Sequence, residues 1–369
     1  MNAAALYRTL VRVILFAAAT TIALWLLGQV YSAILLLLVA LVLAVVINKP
    51  VGDLEQKGWK RGWASLAVFL AILLVIGLIA WIVVPKVNQQ LQVLLENLLQ
   101  YIEVVQKRLA DWLDVIPGME APTKSSPGGL SGGLPSLSQA LLRIGNISLS
   151  VLNVILLLII IISMVVYAVV NPKPLATLYF SFFHPRQREP ATKAFQEAAV
   201  MLSGWFKSNV IGGFIEAVAT VIVLSLLGVP GAWVWGALAL FAELIPKLGF
   251  YLMAVPPTLV ALSISNATAI WVAVFFIVMD EVMGDVVMPQ LRSNTMNIHP
   301  VPILFMVLAM GAAFGFVGIL LATPLTAIFK AYYENFYERR LPEDPELPSR
   351  IMAIIHPKTS RQKENQQIG

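Results

Sequence analysis

Apolar runs of unequal length follow one another along this chain, and their lengths predict its elements. Residues 13–28, 30–47, 63–84 and 147–170 read as membrane-crossing helices, since a helix rising 1.5 Å per residue needs about 20 apolar residues to cross a ~30 Å hydrocarbon core. Residues 211–227 could just span. Two runs of about fifteen residues follow, 231–245 and 248–263, broken at Pro246-Lys247-Leu248-Gly249. A full-length run at 268–288 precedes a second broken pair, 300–313 and 315–329, interrupted at Phe314-Gly315-Phe316-Val317-Gly318. A fifteen-residue helix covers only ~22 Å. Each pair is therefore expected to be a re-entrant hairpin, with four short tilted spans as the alternative. One span plus one hairpin, repeated, is the pattern of an inverted repeat, and interrupted segments at matching positions point to a transporter's site.

The fold class expected is all-α: a polytopic helical membrane protein with about six full spans, two re-entrant hairpins and an extracytoplasmic helical arm. The division expected is 1–84 for three N-terminal spans, 85–146 for the arm and 147–209 for a fourth span with an interfacial helix. Residues 210–335 form the transport core and 336–369 a charged cytoplasmic tail. Composition agrees: of 369 residues 59% are hydrophobic and 12% charged, about half the charge of a soluble domain. The mean hydropathy is +0.83.

Basic residues in short loops orient the spans. Arg8, Arg12, Lys49, Lys57, Lys60, Arg61, Lys173, Arg186, Arg188, Lys193 and Arg292 fall on one side. Loops 29–32, 228–230 and 264–267 carry no Lys or Arg. With a turn at 29–32, both termini are expected in the cytoplasm of a plasma (inner) membrane protein. In the arm, Leu91, Leu95, Leu98, Ile102, Val105, Leu109, Trp112 and Ile116 alternate four and three apart, a coiled-coil seam. Residues 117–135, rich in Gly, Ser and Pro, are expected to form its tip, and 136–146 to return. The seam would either pack the two arm helices together or join subunits of a homo-oligomer. On 190–209, Phe195, Ala198, Leu202, Trp205 and Asn209 mark one face of an amphipathic helix on the cytoplasmic interface.

Six charged residues stand inside the apolar core: Glu216, Glu243, Lys247, Asp280, Glu281 and Asp285. Each charge near the bilayer centre costs at least ~2.5 kcal/mol on insertion scales, so these groups should face protein or water. Glu281 and Asp285 share a helix face, and such a pair needs a cation, a proton or a basic side chain between its members. Lys247, at the first hairpin's tip, would reach their depth. A structural ion pair, a solute or coupling-ion site, and solvent exposure at an interface all fit. Pro246, Gly249, Gly315 and Gly318 are the expected hairpin breaks; Gly311, Gly315 and Gly318 also form a small-residue ridge, suited to close packing or to a gate. The chain has no cysteine, which removes disulfides and thiolate sites. His184, His299 and His356 lie far apart, so no metal and no cofactor is expected. No nucleotide-binding or hydrolase motif is present, so an enzyme is not expected, and the +5 charge is no nucleic-acid signal.

Leu244-Ile245-Pro246-Lys247-Leu248-Gly249 with Pro256-Pro257, then Asp285-Val286-Val287-Met288-Pro289, His299-Pro300 and Phe314-Gly315-Phe316-Val317-Gly318 resemble the autoinducer-2 exporter (AI-2E transporter) family of permeases over nearly the whole chain. Members often carry an acid and an amide shortly before the proline matching Pro289; here Met283 and Asp285 stand there. The resemblance implies a homo-oligomeric exporter of a small polar signalling molecule, with sodium–proton exchange in some members. Three functions follow as expectations: a permease for a small polar solute, a cation–proton antiporter using Na+ or H+ at the same carboxylates, or a membrane scaffold whose arm recruits partners.

Overall fold

The computed structural model describes residues 3–113, 148–245, 248–292, 296, 298–341 and 344–355, and every regular element among them is helical. Four helices are long and apolar enough to cross a membrane, or five if the bent pair 156–170 and 173–181 counts as one span. By length and composition the six full spans expected are thus four to five, and one of these, Pro300–Arg340, is bent at Gly315 rather than straight.

The first helix, α1 (Ala3–Gln56), is continuous for 54 residues, about 81 Å at 1.5 Å per residue. The turn expected at 29–32 is absent. Gln29-Val30-Tyr31-Ser32 contains neither proline nor Asn/Asp, and the single Gly28 before it costs a helix only about 1 kcal/mol, so helix propagates. The crossing that returned the amino terminus to the side of Lys57, Lys60 and Arg61 therefore drops out of the count.

Helix α2 (Arg61–Glu96) runs on through Pro85 into the arm. It breaks at Asn97, which separates it from α3 (Leu98–Leu113). The heptad seam is thus divided between two helices rather than sustained; residues 114–147, with the expected tip and return, lie outside the described residues. Helix α4 (Ser148–Val170) packs against α1 and α2 through Ala40, Ala44, Val51, Ala64, Val165 and Val169. Arg61 locks this corner: its Nε donates to the Val169 carbonyl at 2.8 Å, and its guanidinium also reaches Glu55 and Asn48.

Pro172 and Pro174 then turn the chain by 86° into α5 (Lys173–Ser181). Helix α6 (Arg188–Leu226) is unbroken. The interfacial helix and the span expected to part near 209/210 are one element, because Ser208-Asn209-Val210 holds no breaker and Gly212 and Gly213 serve packing instead. Gly228 and Gly231, at φ 68° and 79°, make the turn into α7 (Ala232–Ala242). Helix α8 (Leu248–Ile264) lies back along α7: a Cβ on Gly249 would stand 1.9 Å from the Ala242 carbonyl oxygen. Then come α9 (Asn266–Glu281), a wide π-helical stretch (Val282–Val287) and α10 (Met288–Arg292).

Helix α11 (Pro300–Phe336) doubles back on itself at Gly315, whose φ/ψ of 62°/−145° only glycine adopts readily. A Cβ on Gly318 would meet the Met310 carbonyl oxygen at 2.1 Å. In a straight helix those residues lie about 12 Å apart. A short C-terminal α12 (Leu347–Ile355) completes the described chain. The order is one long helix and one folded-back pair, then a second of each.

Candidate functional site

Helix α6 is the shared spine of both folded-back pairs. A Cβ on Gly213 would sit 2.4 Å from the Leu240 carbonyl oxygen, and one on Gly236 would sit 2.9 Å from that of Ala217. These glycines let α6 and α7 approach backbone to backbone, antiparallel. Near the other end of α6, Asn335 Nδ2 donates to Glu197 at 2.6 Å and Arg339 pairs with the same carboxylate at 2.8 Å. Met201 and Leu202 pack with Leu321 and Ala327. The second half of α11 therefore also runs antiparallel to α6. Counting from the Glu197–Asn335 contact, equal rises put Thr323 level with Asn209, and the Gly315 bend level with about residue 217. The two folded-back pairs enter from opposite ends of α6 and end beside its middle.

Buried polar groups collect at that level. Glu216 is 3% exposed, shares a side-chain hydrogen bond with Glu243 at the end of α7, and stands within electrostatic reach of Asp280 on α9. Its second oxygen has no hydrogen-bond partner within the described protein. Asn209, 2% exposed and two turns earlier on the same α6 face, leaves both amide atoms unpartnered; so does the Thr323 hydroxyl. Tyr251 on α8 donates its hydroxyl to Asp280 at 3.0 Å. An orphaned buried polar group costs about 1–3 kcal/mol in an apolar core; such groups suit a place that a polar solute or ion visits.

Of the six charged residues singled out above, the structure brings together Glu216, Glu243 and Asp280. Glu281 is exposed but close enough for its charge to act on Tyr251. Asp285 is exposed within the π-helical stretch and outside this group. Lys247 and Pro246 lie outside the described residues. Among the described residues no set of three His, Cys, Asp or Glu side chains is placed to hold a metal ion. Tyr251 was missed by sequence reasoning, although it and Glu243 are each four residues from position 247 and so level in a folded-back pair. Asn209 and Thr323 were missed as site residues because an amide or hydroxyl carries no charge to mark it.

The arm clamps the open end of the first pair. Gln90 Oε1 on α2 accepts from the Trp233 backbone N–H at 2.8 Å, capping the start of α7. Arg108 on α3 donates to the Ile264 carbonyl at 3.1 Å and to Asn266 at 2.9 Å, capping the end of α8. Val105, a seam residue, packs on the cluster of Leu224, Val229, Ala261 and Phe276.

Residues 13–338 match the family model described as AI-2E family transporter. The chain belongs to that family. It is accordingly an integral membrane protein of a transporter family, which is not an enzyme family. It is 25% identical over 312 residues to "Putative transport protein YueF" of Bacillus subtilis (strain 168), covering 81% of this chain and 83% of the relative. It is 24% identical over 304 residues to "Putative permease PerM" of Escherichia coli (strain K12), covering 80% and 85%. A shorter match, 30% identical over 113 residues, joins 30% of this chain to 32% of "Putative transport protein YhhT" of Escherichia coli (strain K12).

Proposed function

We propose that the chain is a secondary permease for a small polar solute, passed between the ends of two re-entrant hairpins beside the middle of α6. The carrying observation is that Glu216, Glu243 and Asp280 meet beside the middle of α6, with the orphaned polar atoms of Asn209 and Thr323 about two helical turns away along it. Opposed entry of the two pairs supports an inverted repeat, and the short helices supply walls that end inside the bilayer. A groove of about 450 Å³ lined by Lys49, Asp53, Ser203, Lys207 and Leu291 supports an aqueous approach from the end where Arg61 joins α1, α2 and α4. We place that end in the cytoplasm, with the carboxyl terminus. Autoinducer-2 is the first solute to try. A homo-oligomer belongs to this reading, with its subunit contacts expected among the apolar side chains exposed on α1, α2 and α9.

Proton or cation coupling is the second reading, favoured by one contact. Two carboxyl groups that share a hydrogen bond need one proton, or a cation in its place, between them. The experiment is solute flux into liposomes under imposed Na+ and H+ gradients, for wild type, Glu216→Gln and Asp280→Asn. Loss of flux with retained assembly is expected. Wild-type flux in both variants would remove the site, and would favour a scaffold whose carboxylates serve stability alone.

A further inference from the structure

The elbow between α4 and α6 carries a second candidate site, remote from the carboxylates. Helix α5 leaves α4 at 86°, so it lies across the span, in the plane of the bilayer surface. Its inner side is fixed. The Tyr179 hydroxyl donates to the Ala191 carbonyl at 2.8 Å and meets the Tyr332 hydroxyl, while Phe183 and Phe195 pack on its ring. Its outer side shows Leu175, Leu178 and Phe182 at helical spacing, with Phe182 77% exposed. Between α5 and the start of α6 lies an open groove of about 700 Å³, bordered by Lys173, Thr177, Phe180, Ser181, Arg188 and Thr192.

Thr177, Ser181 and Thr192 donate their hydroxyl protons to carbonyls of their own helices. Recognition in the groove therefore falls on Lys173 and Arg188. Neither makes an ion pair among the described residues, and the nearest acid along α6, Glu189, is already held by Lys193 at 2.8 Å. By helical spacing Leu175, Leu178 and Phe182 lie on the face of α5 opposite Lys173 and Thr177. Uncommitted cations on one side of an interfacial helix with apolar side chains on the other match a phosphate headgroup above the acyl layer.

We infer that this elbow binds the headgroup of an anionic phospholipid, with Lys173 and Arg188 on the phosphate and Leu175, Leu178 and Phe182 against the chains. The test compares full-length wild type with Lys173→Gln/Arg188→Gln in nanodiscs graded from phosphatidylcholine to phosphatidylglycerol. Retained lipid is read by native mass spectrometry and the thermal midpoint by fluorescence. Wild type should retain phosphatidylglycerol and gain stability from it; the variant should bind it roughly thirtyfold more weakly, five- to sixfold per charge. An unchanged preference in the variant, or no preference in wild type, overturns the proposal. If inorganic phosphate alone reproduces the gain, the groove is a free-anion site and the lipid assignment falls. Should the neutral variant fail to fold, Lys173→Arg/Arg188→Lys must keep the preference, and its loss there also overturns the assignment.

Discussion

A cysteine pair at positions 311 and 319 tests the doubling back of α11 directly. A Cβ on Gly311 would lie 3.0 Å from Ile319 Cγ1, so Gly311→Cys with Ile319→Cys puts two sulfurs in reach of each other. Were the helix straight through Gly315, the eight-residue separation would hold the two backbones about 12 Å apart. A disulfide spans at most about 7 Å between Cα atoms, so the two geometries give opposite outcomes. The native chain has no cysteine to compete. After mild oxidation in membranes, peptide mapping by mass spectrometry should recover the 311–319 bridge in most molecules. A control pair at 305 and 313, eight residues apart on one straight stretch, should stay reduced. Two free, readily alkylated thiols at 311 and 319 would show α11 running on as one rod, and the opposed hairpins would go with it.

Replacing Asn209 by Leu removes two orphaned buried atoms; we expect stability to rise by about 1–3 kcal/mol in thermal denaturation, while solute flux falls. A stability loss would mean the amide is satisfied in the membrane. Gly249→Ala should cost about 1–3 kcal/mol, because the new Cβ meets backbone; Gly284→Ala, with open space around it, should be tolerated, and equal thermal shifts would contradict the packing described. Arg108→Gln should cost no more than about 1 kcal/mol overall, since its two hydrogen bonds lie at the surface. It should nevertheless speed amide exchange around 264–268, and unchanged exchange there would deny the clamp.

The interruption between α7 and α8 and the bend at Gly315 were legible because a Gly or Pro at the end of a short apolar run lets the chain turn. The uncharged stretch at 29–32 was not legible, since an apolar pattern does not distinguish an uncharged polar loop from another helical turn when no breaker is present. The arm's seam was expected as one sustained stripe; it divides at Asn97, and its destination was hidden. Val105 packs on the cluster of α6–α9, and that choice is made by tertiary contacts. Charge picked out Glu216, Glu243 and Asp280, but also Glu281 and Asp285, which the structure leaves exposed; depth depends on register between helices, which no local pattern encodes. Asn209 was placed on one face of an amphipathic interfacial helix, but what makes it notable is the lack of a partner, a property of its neighbours.

The arm's clamp has a consequence for motion. Both feet of the first folded-back pair, at Trp233 and Ile264, are tethered by Gln90 and Arg108, which makes that pair the more restrained jaw. The second bends at Gly315, a left-handed joint with nothing within 4 Å of where its side chain would be. On the permease reading proposed above, a passage walled by one tethered and one hinged jaw would open by movement of α11.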